Sequence, residues 1–148
     1  GKSFWPLFKG RDGCRAPMQW SREINAGFSQ MDPWLPVNED FPSRNVVRQN
    51  SDPKSLLNFF KAFVAVRKSQ PALQHGDFTP LDNNPRDILA FTRQTDEDRI
   101  LVLLNFKSRE KSYALPQGQW VNLLGKETQL TDEITVSPYQ VMVLKLSN

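Results

Sequence analysis

The first fifty residues constrain this chain most, because they are aromatic and yet show no period. Trp5, Trp20 and Trp34 lie there with Phe4, Phe8, Phe28 and Phe41, while apolar positions recur neither every 3.6 residues nor every second residue. A stretch that long without regular elements does not suit a self-sufficient small domain. Its aromatic content is equally wrong for a disordered tail. Both conditions are met if the segment packs on something outside the chain. Trp5, Phe8, Trp20, Phe28 and Trp34 then complete a core whose other half lies elsewhere.

Within that segment, residues 10–20 read Gly-Arg-Asp-Gly-Cys-Arg-Ala-Pro-Met-Gln-Trp. Gly10 and Gly13 permit unusual backbone angles, and Pro17 removes an amide donor and restricts the residue before it. The pattern predicts a rigid loop, packed through Met18 and Trp20, that presents the guanidinium forks of Arg11 and Arg15. Such forks suit planar, bidentate pairing with carboxylates. Taken alone, the residues allow two roles: arginines that pin their own loop, or arginines that position a ligand-binding acid.

The remainder divides into a helix and a series of strands. Asp52 as cap and Pro53 at the first helical position predict a helix start, and Pro71 its end. Lys54, Asn58, Lys61, Ala65 and Lys68 fall on one stripe. Leu56, Leu57, Phe59, Phe60, Phe63, Val64 and Val66 fill a much wider arc, which needs cover from two layers. From Gly76 onward, short strands are expected at 88–92, 100–106, 120–123, 134–136 and 141–146. Turns are expected at Asn83-Asn84-Pro85, Asp96-Glu97-Asp98 and Leu124-Gly125-Lys126. The nearly continuous apolar run 100–106 reads as a central strand buried on both faces. The last strand places Met142, Leu144 and Leu146 on one side and Val141, Val143 and Lys145 on the other. Five or more such strands make an antiparallel sandwich.

Composition narrows function by exclusion. A formal charge of +3, with acidic and basic residues interspersed, gives no basic run for nucleic acid or a membrane surface. No apolar run reaches the length of a membrane span, and Gly1 does not open a signal peptide. One Cys and one His build no zinc site, so neither metal nor cofactor is expected. Cys14 reads as a packed structural thiol and His75 as a loop residue between helix and first strand. The lone cysteine fits a reducing compartment, and the cytoplasm is the expected location.

Three ordered motifs carry a resemblance that covers essentially the whole chain. Arg-Asp-Gly-Cys-Arg-Ala-Pro-Met-Gln-Trp, Asn25-Ala26-Gly27-Phe28-Ser29, and Pro33-Trp34-Leu35-Pro36-Val37-Asn38 with Asn45-Val46 resemble the α-glucosidase and oligo-1,6-glucosidase branch of glycoside hydrolase family 13, the α-amylase superfamily. Ala16 stands where that family often has Thr, and Ser21 where Asp is frequent. The resemblance implies an α+β fragment. Residues 1–50 would be tail loops of a (β/α)8 barrel, 51–70 its last helix, and 71–148 an antiparallel C-terminal β-sandwich. It also implies substrate positioning by Arg15, with Arg11 as second candidate and Asp12 as orienting partner, on short α-glucosidic oligosaccharides. The family's catalytic carboxylates lie on strands N-terminal to this segment. The chain alone is therefore expected to be inactive, and to self-associate through its bare aromatics when separated from the rest of the barrel. The alternatives are a carbohydrate-binding sandwich with an N-terminal arm, on which Tyr113 or Trp120 would stack sugars, and a non-catalytic relative of the transporter heavy chains.

Overall fold

Residues 14–81, 86–125 and 129–147 are described by the computed structural model of the chain, which divides into two compact units, Gly1–Lys61 and Ala62–Asn148. Among its described residues the second unit carries eight strands: β1 (Asp77–Pro80), β2 (Ile88–Gln94), β3 (Arg99–Asn105), β4 (Lys111–Ala114), β5 (Trp120–Asn122), β6 (Gln129–Leu130), β7 (Glu133–Val136) and β8 (Val141–Leu146). Six of them form one antiparallel sheet in the order β1-β2-β3-β8-β5-β6, and β4 pairs with β7 in a separate two-stranded ribbon. The loop joining β2 to β3 closes through Thr95 N–H to Asp98 O at 2.9 Å, at the Asp96-Glu97-Asp98 turn the sequence marks.

Alternation along β3 decides the layers. Leu101 and Leu103 join Ile88, Ala90, Trp120, Met142 and Leu144 in one core, closed by Tyr113, Leu115, Ile134 and Val136 from the ribbon side. Ile100 and Val102 point the other way and meet Val143, Ala72, Phe63, Val66 and Leu73. β3 is thus buried on both faces, and β8 separates Met142 and Leu144 from Val143 as the side-chain period of two requires. Fully burying each large apolar side chain of this kind stabilises the fold by about 1.5–3 kcal/mol. Lys145, on the same side of β8 as Val143, is satisfied by Asp98 Oδ1 at 2.7 Å and Gln70 Oε1 at 3.1 Å. At the end of β3, the buried Asn105 binds two loops together. Its Nδ2 donates to the carbonyls of Arg109 (2.8 Å), Val136 (3.2 Å) and Ser137 (3.0 Å), and its Oδ1 accepts from Lys107 N–H (3.0 Å).

The helices differ from expectation. A first helix, α1 (Val46–Ser51), occupies a stretch with no helical period, and the long helix α2 runs over Leu56–Ser69. Asp52 does not cap α2. Its carboxylate accepts from Lys54 N–H at 2.9 Å, which makes Asp52-Pro53-Lys54 a turn. The start passes to Ser55, whose hydroxyl accepts from Asn58 N–H at 3.2 Å while donating to Gln49 O at 2.6 Å. Pro71 ends α2 as expected but also opens a third helix, α3 (Pro71–His75), at its N-terminal position. His75 is therefore the last residue of a helix rather than a loop residue. Of the wide apolar arc on α2, Phe63 and Val66 are half-buried in the second core, whereas Leu56 and Phe60 stay largely exposed.

The turn expected at Asn83-Asn84-Pro85 and the Lys126 end of the turn at Leu124-Gly125 lie outside the described residues, as do Trp5 and Phe8. Trp20, Phe28 and Trp34 are exposed, Trp34 to 81%.

Candidate functional site

The three sequence motifs converge on one hydrogen-bonded knot in the first unit. Its centre is the segment Pro17–Ser21, of which Pro17 is buried. On one side, Gln19 Nε2 donates to Asp40 Oδ1 at 2.8 Å and to Arg44 O at 2.9 Å. The Gln19 and Trp20 carbonyls accept from Val46 N–H (2.9 Å) and Val47 N–H (3.0 Å), the first amides of α1, which no intrahelical bond can satisfy. Asn45 caps the same helix: its Oδ1 accepts from Arg48 N–H at 2.9 Å and its Nδ2 donates to Phe41 O at 2.8 Å. These tertiary bonds explain a helix that Val46-Val47 would not start by propensity. An Arg44–Asp40 ion pair at 3.4 Å closes the turn beneath it.

On the other side lies a left-handed turn. Asn25, Ala26 and Gly27 have φ of 50°, 58° and 68°. Asn and Gly tolerate this region, whereas Ala pays about 1–2 kcal/mol for it. The surroundings hold Ala26 there: its side chain is fully buried and its carbonyl accepts from both Trp20 N–H and Ser21 N–H at 2.9 Å. Asn25 Nδ2 also donates to Ser29 O (3.2 Å) and Met31 O (3.0 Å). A Cβ on Gly27 would stand 2.6 Å from Ser21 Oγ, so the third position admits only glycine without rearrangement. Backbone strain sustained by surrounding bonds is a mark of functional sites.

Arg15 lies just N-terminal to the knot with its side chain exposed, and no ion pair among the described residues includes it. Arg11 and Asp12, the second candidate and the orienting partner, lie outside the described residues. Cys14 is exposed, which corrects its reading as a packed thiol: the buried residue of this loop is Pro17. Tyr113 and Trp120, the aromatics on which a sugar-stacking surface would rest, are both buried in the first core. Trp120 Nε1 donates to Pro116 O at 2.9 Å, and burial pushes the Tyr113 hydroxyl above its ordinary pKa. No group of three metal-ligating side chains occurs among the described residues, and no helix among them is long and apolar enough to cross a membrane.

Among the described residues, the second unit holds one strongly perturbed carboxylate. Asp87 meets Lys111 at 3.1 Å, Arg109 at 3.1 Å and Lys107 at 3.5 Å. Hydrogen bonds from Lys111 and then Arg109, with the charge of Lys107, lower its pKa to about 2. Its φ of 92° and the Phe106 N–H bond to its carbonyl (3.3 Å) fix it at the end of the sheet. This arrangement staples the start of β2 to the segment between β3 and β4 and to the first residue of β4. The signals that singled out Arg15 could also have found Gln19, Asn25 and Asn45, since all three stand inside the quoted motifs. Their roles depend on bonds spanning up to 27 residues, Val46 to Gln19 among them, which no local pattern reveals.

Residues 2–76 match the sequence model of the alpha-amylase catalytic domain, and residues 78–143 that of the maltogenic amylase C-terminal domain. A probable alpha-glucosidase of Rhizobium meliloti is 38% identical over 78% of the chain and 21% of its own length. The oligo-1,6-glucosidase of Bacillus cereus is 34% identical over 93% of the chain and 26% of its own. Among solved structures, the trehalulose synthase MutB of Pseudomonas mesoacidophila superimposes with a TM-score of 0.76 at 32% identity, over 93% of this chain and 26% of that one. The chain spans about a quarter of the length of these relatives.

Proposed function

Because the chain belongs to the alpha-amylase family, we propose that it is the C-terminal part of an α-glucosidase cutting α-glucosidic bonds of short oligosaccharides. The observation that carries this reading is the exposed guanidinium of Arg15, without an ion-pair partner among the described residues, beside a segment held from two sides. A fork so placed suits an aspartate supplied by the rest of the barrel. Arg15 would hold that carboxylate against the hydroxyls of the non-reducing glucose, with Arg11 as the second such group and Asp12 orienting it. A lysine point charge would reproduce such a pairing poorly.

Retaining hydrolysis needs two carboxyl groups about 5–5.5 Å apart, one as nucleophile and one as acid and then base. In this reading both come from the upstream part of the protein, so the 148-residue chain does not hydrolyse glucosides by itself. The single cysteine suits a reducing compartment, and the enzyme is assigned to the cytoplasm.

The test is Arg15→Lys in the full-length protein that contains this chain. The expected result is a rise in KM or a fall in kcat that together lower kcat/KM at least about tenfold, on the order of 1.4 kcal/mol. Wild-type kinetics would refute the role of Arg15. Product analysis with maltose, isomaltose and sucrose separates hydrolysis from the synthesis of trehalulose that the solved relative is named for.

A further inference from the structure

We propose that Gln19 is a positioning residue for the Arg15 guanidinium, an inference that rests on the substrate-holding role of Arg15 given above. Along the chain after Arg15, the first hydrogen bonds to distant parts of the fold among the described residues are those of Gln19 and Trp20. Arg15 therefore inherits its place from this anchor, across the buried Pro17.

The anchor has a chemical requirement, two donor protons at this reach, which the Gln19 amide meets. Gln19 Nε2 uses its two protons on two acceptors, Asp40 Oδ1 and Arg44 O, while the main-chain carbonyl of the same residue takes Val46 N–H. Glutamate would set oxygen against both acceptors, and methionine would offer neither a donor. The acceptors are themselves fixed. Asp40 O receives Ser43 N–H (3.0 Å) and Arg44 N–H (2.9 Å), and Asn45 locks the next turn.

The amide bonds of Gln19 are solvent-exposed, so their net contribution to stability is small. Orientation is a different matter, because misplacing a substrate-positioning group by about 1 Å can cost a hundredfold in rate. A bond set that is weak as a stabiliser and exacting in geometry is what a positioning device requires.

The test is a double-mutant cycle in the full-length protein, with 4-nitrophenyl α-glucoside as the probe, whose single glucose fills the innermost subsite. Gln19→Met is expected to lower kcat/KM about tenfold in the wild-type background with little change in melting temperature. In the Arg15→Lys background it should lower kcat/KM less than about twofold further, since a position already lost cannot be lost again. The same factor in both backgrounds would mean a general structural effect and would overturn the proposal. Wild-type kinetics for Gln19→Met beside an impaired Arg15→Lys would overturn it while leaving the role of Arg15 intact. An unimpaired Arg15→Lys would remove both. If Gln19→Met fails to fold, Asp40→Ala, which deletes one of the amide's two acceptors, runs the same cycle and is expected to show the same non-additivity with a smaller factor.

Discussion

Asn105 offers a quantitative test of the sandwich, because one buried side chain holds two loops and its chemistry can be inverted without changing its shape. In Asn105→Ala, Lys107 N–H and Arg109 O lose their partners in a part-buried setting, at about 1 kcal/mol each. The Val136 carbonyl loses its bond in a buried setting, at about 1–3 kcal/mol. Ser137 O keeps a bond from Gln140 N–H and contributes little. The loss is therefore about 3–5 kcal/mol in total. Asn105→Asp preserves the acceptor facing Lys107 but turns the donor into an oxygen facing three carbonyls. Burial and those carbonyls raise the new carboxyl's pKa in the folded state above its unfolded value near 3.9, by the usual desolvation argument. A raised folded pKa means stability that is fully present below the unfolded pKa and lost as pH rises through the folded one. The aspartate variant should thus be more damaged at pH 7 than at pH 4, by about 1.4 kcal/mol per unit of elevation. The alanine variant should show the same loss at both. Urea unfolding of the 148-residue chain at one fixed concentration, low enough that light scattering finds a monomer, followed by far-ultraviolet circular dichroism at the two pH values, measures all four differences. An aspartate penalty that does not change with pH, or an alanine penalty below about 1 kcal/mol, would refute the assigned network.

Other outcomes follow from features already described. Asp87, its pKa lowered to about 2 by Lys111, Arg109 and Lys107, contributes stability that is present above the unfolded pKa and lost as pH falls through the folded one. The difference in urea midpoint between wild type and Asp87→Asn should hold steady from neutral pH to about 5 and shrink between about 4 and 2, and a difference unchanged across that range would contradict the staple. Gly76→Ala places a Cβ 2.6 Å from Ala72 O and 2.8 Å from Gln94 O, both main-chain atoms that cannot swing aside. A loss of about 1–3 kcal/mol is expected in the same urea assay, and a neutral result would mean that the α3–β2 contact is looser than described. Expressed alone, the chain should associate through Trp20, Phe28, Trp34, Leu56 and Phe60, because apolar patches of that extent rarely stay bare. Light scattering over a range of concentrations checks this, and a monomer throughout would contradict it.

How much was legible in the sequence depends on where each signal resides. The run 100–106 reads as a strand buried on both faces, and β3 is one as far as Asn105, whereas Phe106 lies beyond it and is exposed. β8 divides its side chains between two cores as alternation requires. The strands β1, β4 and β6 carried no such mark: β1 is exposed along its length, and β4 buries only Tyr113. Edge and ribbon strands owe their conformation to the neighbour they pair with, which a local reading does not contain. α2 starts at Ser55 rather than at Asp52 because, of these two cap-type side chains, the Ser55 hydroxyl is the one that bonds back to α1, through Gln49 O, while the Asp52 carboxylate turns to Lys54 N–H. α1 itself, rich in β-branched residues at its start, exists through its bonds to Gln19 and Trp20. In the knot, motif spacing pointed to Arg15, but the clamp behind it joins residues more than twenty positions apart.

The place of β8 in the sheet has a consequence for synthesis. The last strand to be made lies in the middle, between β3 and β5, each of which needs it as a partner. Until residues 141–146 have left the ribosome, Ile100, Leu101 and Leu103 on β3 lack one of their two neighbours, and the six-stranded sheet exists only as two separate pieces. The domain therefore completes its fold after translation of β8 rather than progressively, and nascent chains waiting in that state display unpaired strand edges to chaperones and to one another. A premature stop anywhere before Val141 would not trim this domain at its margin but split it through the centre.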